Sequence, residues 1–258
     1  MLIEKELMHI LSLENSTRRP NKDNQVIDYV ITRLNGMGIK FDTQKNQNGV
    51  YNIFSIKEGR PLVSCHTDSM KLTSAADYTL DHEKIISVKK DGNKIVAFRD
   101  GKRSVLGGDD GCGIFILLNL LESGADISFA FFSNEEIGMH GSRAFTGEIL
   151  KGTEIPYGLI FDRKGCNDII CNQNNYGTKR FEKALSNVGV KHGYAPARGY
   201  VCDADNLRHF FSCANIGCGY YDTHTCNEYV VFDDVIKAYN FGTDVLKKLG
   251  GEKYIACR

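Results

Sequence analysis

The 258-residue chain has no surplus of either charge. Its 32 lysines and arginines balance 32 aspartates and glutamates, which leaves no basic footprint for nucleic acid. No apolar run approaches the roughly 18 residues of a membrane helix, so a membrane-spanning role is not expected. The nine cysteines include no CxxC pair, and the opening MLIEKELMHILSLENS sets Glu4, Lys5 and Glu6 inside its apolar pattern. That segment reads as an amphipathic helix and not as a secretory leader. The cysteines are therefore expected as reduced thiols of a cytoplasmic protein. Repeats, low-complexity tracts and linkers are also lacking, which points to one domain over 1–258.

What is present is an alternation of strand and helix patterns. Residues 2–13 and 23–37 have helical spacing, with caps at Asn21 to Asn24 and a stop at Gly36 and Gly38. Ile39–Thr43 and Val50–Ile56 alternate as paired strands around an Asn48-Gly49 turn. Pro61–Asp68 is a third strand, and 70–106 a polar, β-rich flap. Ile114–Leu121 is the most apolar helix, and Ile127–Phe132 a buried central strand. Further on, the pattern gives helices at 142–150, 178–187 and 203–211. It adds strands at 157–162, 168–171 and 214–220, and a closing amphipathic helix at 232–249. The fold class is α/β: a mixed, mostly parallel central sheet flanked by helices.

The central strand runs directly into Glu135 and Glu136. Two adjacent carboxylates repel unless a cation or a shared proton relieves them, and strand carboxyl ends in such sheets are where ligands gather. Singly, a Glu-Glu pair reads as a solvated loop. So do the other candidates, each with an ordinary structural role: His66 beside Asp68, Asp109 as a helix cap, Asp162 at a strand end, and His224 in a loop. Jointly, His66, Asp109, Glu136, Asp162 and His224 make a donor set suited to two zinc-like ions, with one carboxylate bridging. On extended backbone His66 and Asp68 share a face, so Asp68 is placed to hold the second imidazole nitrogen. Consecutive glutamates there point in different directions; one can bind metal while the other acts as general base toward an activated water. The GGDDGCG stretch has neither the P-loop lysine nor dinucleotide spacing, and its acids repel phosphate.

The ordered segments SCHTDS, LGGDDGCG, SNEEIGMHGS, FDRKG and THTCNEYV resemble those of the co-catalytic di-zinc exopeptidases and amidohydrolases. That superfamily includes peptidase T, the aminoacylase and carboxypeptidase G2 group, and single-domain zinc aminopeptidases. The resemblance spans residues 64–230. It implies that His66 and Asp162 hold one metal, Glu136 and His224 the other, and Asp109 bridges them, with Asp110 as the fallback. It also implies Glu135 as general base and Asp68 as the carboxylate orienting His66. Asn227 and Glu228 match the Asn-Glu pair trailing the last ligand in peptidase T-like members. The 62 residues from Asp162 to His224 are filled by expected core elements, so the lid or dimerisation domain of larger members is expected to be absent. Substrate groups from such a lid are then missing, and no substrate-binding residue is assigned.

The resulting expectation is a di-metal exopeptidase of short peptides, and within that class an aminopeptidase. It carries two divalent ions per chain, zinc ahead of cobalt or manganese. The alternatives are an N-acyl amino acid deacylase or small carboxypeptidase, and a metal-binding or interaction protein without hydrolysis. Cys65 and Cys226, beside presumed ligands, are expected to be buried as small apolar groups. Asp203 and Asp205 are candidates for a substrate ammonium or for helix capping. Oligomeric state is left open.

Overall fold

The computed structural model describes residues 3–14, 25–45, 49, 51–70 and 86–256. Helices α1 (Glu4–Ser12) and α2 (Gln25–Gly36) bury Leu7, Ile10 and Leu11, and Val26, Ile27, Val30 and Leu34. These are the three-and-four-spaced positions of an apolar stripe. The caps expected at Asn21 to Asn24 lie outside the described residues. Gly38 leaves α2 at a φ of +68°, a conformation that costs an L side chain energy. Strands β1 (Asp42–Lys45) and β2 (Tyr51–Ser55) pair antiparallel. β1 begins at Asp42, three residues later than the alternation suggests, and Asn48 of the turn lies outside the described residues.

Then follow β3 (Leu62–His66), β4 (Ser87–Asp91), β5 (Lys94–Arg99), β6 (Lys102–Ser104), α3 (Gly108–Glu122), β7 (Ser128–Phe132) and α4 (His140–Glu148). The chain continues with β8 (Gly158–Arg163), β9 (Asp168–Ile170), α5 (Lys179–Gly189), β10 (Ala195–Ala197) and α6 (Ala204–Leu207). It closes with β11 (Cys213–Gly217), β12 (Tyr220–Tyr221), β13 (Tyr229–Val231) and α7 (Phe232–Leu249). One sheet has eight strands in the order β1-β2-β7-β3-β8-β11-β9-β10. Its centre, β7-β3-β8-β11, is parallel throughout, and every residue of β3, β7 and β11 is buried. A parallel sheet is covered on both faces, which is why these strands are apolar in succession and do not alternate.

Helix α3 packs on β3 and β8. Ile114, Phe115, Ile116, Leu117 and Leu118 are all buried, so it is apolar on every side, as a helix inside a core must be. It sits close because residue 113 is glycine: a Cβ there would lie 2.2 Å from the Phe161 carbonyl of β8.

Three expectations are corrected. Of the 70–106 flap, residues 71–85 lie outside the description, and 87–104 are not a free excursion. They form β4, β5 and β6 of a second, antiparallel sheet, in which β5 pairs with β13 and β13 with β12. The helix expected at 203–211 is a single turn, Ala204–Leu207. Aspartate and asparagine favour caps over helix interiors, and Asp205 here accepts from the Tyr176 hydroxyl at 2.8 Å. The strand expected over 214–220 breaks after Gly217. Gly219, at a φ of +96° and within 2.7 Å of the Val235 nitrogen from where its Cβ would be, turns the chain into the second sheet. Among the described residues no helix is long and apolar enough to cross a membrane.

Candidate metal centre

Because β3, β7, β8 and β11 run parallel, their carboxyl ends share one edge of the sheet, where sites form in such folds. His66 is the last residue of β3, Asp162 lies next to the end of β8, and Glu135 and Glu136 follow β7. Asp109 enters the same edge from the start of α3, and His224 from the loop between β12 and β13. The five expected ligands therefore meet. His66 Nε2 lies 3.0 Å from Asp109 Oδ1 and 3.5 Å from Asp162 Oδ1. His224 Nε2 lies 2.9 Å from Glu136 Oε1 and 3.3 Å from Asp109 Oδ2. Two triplets result, His66-Asp109-Asp162 and Asp109-Glu136-His224, each with its donor atoms within 4.8 Å of one another. Asp109 belongs to both, one oxygen turned toward each histidine. His66 is 1% exposed, whereas the His224 side chain is 43% exposed.

The surrounding contacts separate residues that resemble each other in sequence. Asp110, joined to Asp109 by a cis peptide bond, is not in either triplet. Its carboxylate accepts the backbone N–H groups of His66 at 3.1 Å and Gly113 at 2.9 Å. Asp68 also acts mostly on the main chain. The atom nearest His66 Nδ1 is the Asp68 backbone carbonyl at 3.0 Å, with its carboxylate at 3.6 Å. That carboxylate accepts the N–H groups of Glu135 and Glu136, both at 3.1 Å. Carbonyl and carboxylate of Asp68 thus both face His66 Nδ1, and the carboxylate also ties β3 to the Glu-Glu segment. Glu135 and Glu136 stand in a turn and not on extended backbone: the N–H groups of Gly138 and Met139 donate to the Glu135 carbonyl at 2.9 Å. Of the two cysteines beside ligands, Cys65 is buried as expected, but Cys226 is exposed.

Four supporting residues carry no assigned role in the sequence reading. The Thr223 hydroxyl donates to Asp109 Oδ2 at 2.9 Å, and the Tyr220 hydroxyl to Asp162 Oδ1 at 3.2 Å. Asn215 brackets the Asp162 main chain, accepting its N–H at 3.0 Å and donating to its carbonyl at 2.6 Å. Glu228, fully buried, accepts from the N–H groups of Leu106 at 2.7 Å, Gly107 at 2.9 Å and Asp109 at 3.3 Å. It clasps the glycine loop that delivers Asp109. An asparagine inside the apolar run Cys213–Gly217 was a readable signal, because a buried amide needs partners. The Glu228 clasp had only its motif match.

Burial and crowding set the electrostatics. Glu135 is pushed up to about 10, first by burial and then by the Asp162 charge. Burial likewise raises Glu136 to about 7 against the pull of His224, and Asp162 to about 6 against that of His66. Glu228 rises to about 7 through burial, despite its three donors. Burial would raise Asp109 too, yet its hydrogen bonds with His224 and His66 hold it well below the usual carboxylate range. Burial lowers His66, but Asp162 and Asp109 outweigh it and keep the imidazole well above its ordinary value. Hydrogen bonds to Asp109 and Glu136 take His224 to about 10. Carboxylates that raise one another in this way are relieved by a divalent cation, which is often the largest charge in such a site. Two imidazoles and three carboxylates are also the donor types such an ion prefers, so the residues fit a metal pair.

No family model and no curated protein matches the chain. Solved structures do. The aminopeptidase PepT from Bacillus cereus is similar at a TM-score of 0.71 and 13% identity, over 95% of this chain and 97% of that one. A tripeptidase from Staphylococcus aureus matches at 0.64 and 12% identity, over 96% and 99%. The glutaminyl cyclase of Tannerella forsythia matches at 0.64 and 18% identity, over 93% and 94%. At these identities the likeness shows that the chain shares the fold of these structures.

Proposed function

We propose that this protein is a metal-dependent exopeptidase of short peptides, and specifically an aminopeptidase. The observation that carries the reading is the shared Asp109, whose two oxygens face two histidine-containing triplets at once. The fold likeness to an aminopeptidase and a tripeptidase supports it. His66, Asp109, Asp162, Glu136 and His224 would hold divalent cations, zinc first among them, which would supply Lewis-acid chemistry toward a carbonyl and a water.

The chain's own residues supply the rest. Glu135 lines the cavity over the two triplets without belonging to either, so its carboxylate is free to take the proton of an attacking water and return it to the leaving amine. Its high proton affinity comes from burial and neighbouring negative charge, and bound cations reverse the sign of that second influence. Asp68 fixes the Glu135 main chain, and Thr223, Tyr220, Asn215 and Glu228 hold Asp109 and Asp162 in place. The test is Glu135→Gln. Peptide hydrolysis should fall by about 10³-fold or more, within the reach of a lost general base and the charge it carries, while metal content stays at the wild-type level. Retained hydrolysis removes Glu135 from this role. Aminoacyl anilides screened against N-acetyl amino acids separate the aminopeptidase from the deacylase, which uses the same chemistry.

A further inference from the structure

The cavity over the two triplets has a volume of about 480 Å³, and its floor is acidic, with Asp109, Glu135, Glu136 and Asp162 all reaching it. Besides His224, Arg163 and Lys164 bring positive charge to its wall. Arg163 is committed elsewhere: its Nε and Nη2 donate to Asp168 Oδ2 at 3.0 and 2.9 Å. Lys164 makes no hydrogen bond or ion pair with any described residue. Its main chain, by contrast, is pinned on both sides. The Arg163 carbonyl accepts the Cys218 N–H, the Gly165 N–H donates to the Tyr220 carbonyl, and the Gly165 carbonyl accepts the Gly219 N–H, each at 2.8 Å. An ammonium with no partner among the described residues is therefore carried on a fixed turn, two residues beyond Asp162. Tyr200 and Val201 line the same cavity and are 80% and 66% exposed. They give the cavity an apolar rim.

We infer that Lys164 is a specificity-determining residue: it pairs with the free carboxylate of a substrate two or three residues long, while an apolar substrate side chain lies on Tyr200 and Val201. This rests on the exopeptidase reading of the same cavity. Lys164 follows Asp162 by two residues and lines the same cavity, so a substrate with its scissile bond over Asp162 and its chain end at Lys164 is short. With Arg163 engaged by Asp168, Lys164 is the wall side chain left to meet a substrate carboxylate.

The experiment measures binding, so that it does not depend on hydrolysis. A reduced-amide glycyl-leucine analogue, with CH₂–NH in place of the peptide bond, and its C-terminal carboxamide are titrated calorimetrically into the zinc-loaded full chain. The free acid should bind the wild type about tenfold tighter than the carboxamide, the size of one charge-assisted pair. Lys164→Met should bring that ratio to about one, and Lys164→Arg should restore most of it. A ratio near one in the wild type, an unchanged ratio in Lys164→Met, or binding of neither analogue overturns the inference. Hydrolysis of glycyl-leucine itself is followed alongside. Its absence with the tenfold preference intact would remove the peptidase reading and leave Lys164 in its role.

Discussion

Glu228 illustrates how a single side chain can govern a site it does not enter. It has no solvent exposure and gives its two oxygens to three backbone N–H groups of residues 106–109. Glu228→Ala therefore strands three buried donors at once. Each unsatisfied group costs about 1–3 kcal/mol, so a loss of roughly 3–5 kcal/mol in urea unfolding is expected after partial relaxation. Metal affinity should fall with it, since the loop no longer holds Asp109, and a variant that unfolds and binds zinc like the wild type would deny the clasp. Glu228→Gln should recover part of the stability, because its carbonyl oxygen still accepts. The sequence could not disclose this. A glutamate four residues after His224 reads as a motif neighbour, and only the folded chain shows what its carboxylate reaches across more than a hundred residues.

At the level of elements, the site depends on how closely α3 lies on the sheet. Gly113 brings the helix against the Phe161 carbonyl, and an added Cβ would also meet both Asp110 oxygens at 2.5 Å. Gly113→Ala must push α3 away from β8 or displace the carboxylate that caps the His66 main chain. A cost of about 3 kcal/mol or more is expected, with weaker metal binding as the second sign. Gly147, on the exposed side of α4 with nothing within 4 Å of its Cβ position, is the control. Gly147→Ala should stabilise by about 0.5–1 kcal/mol, and thermal unfolding of the two variants reads both directions. These elements were largely legible before folding. The apolar runs at 127–132 and 114–121 cannot be anything but interior, and 232–249 keeps its amphipathic spacing over the whole observed helix. Where the pattern misled, polar residues or glycines were satisfied by distant partners: Asp205 by Tyr176, and Gly219 by the close approach of Val235. Short strands such as Ala195–Ala197 and Tyr229–Val231 have too few residues to show a period at all.

Over the whole molecule, five side chains from positions 66 to 224 converge because one parallel sheet delivers three of its strand ends, an α-helix start and a loop to the same edge. The order of the five segments in the sequence made that convergence readable, and the motif match already set Asp109 ahead of Asp110 and Glu136 ahead of Glu135 as ligands. The backbone amides from which Asp110 and Asp68 accept were not legible. Asp109 and Asp110 are adjacent and equally acidic, yet one faces two imidazoles and the other two backbone amides. The central claim is that Asp109 joins two cation sites into one. Zinc bound per chain, counted by mass spectrometry of the native protein after loading and desalting, tests it most directly. The wild type should hold two ions, and Asp109→Asn, with one oxygen replaced by a donor nitrogen, should lose one or both. A wild type that holds a single ion, or an Asp109→Asn protein that still holds two, would contradict the account.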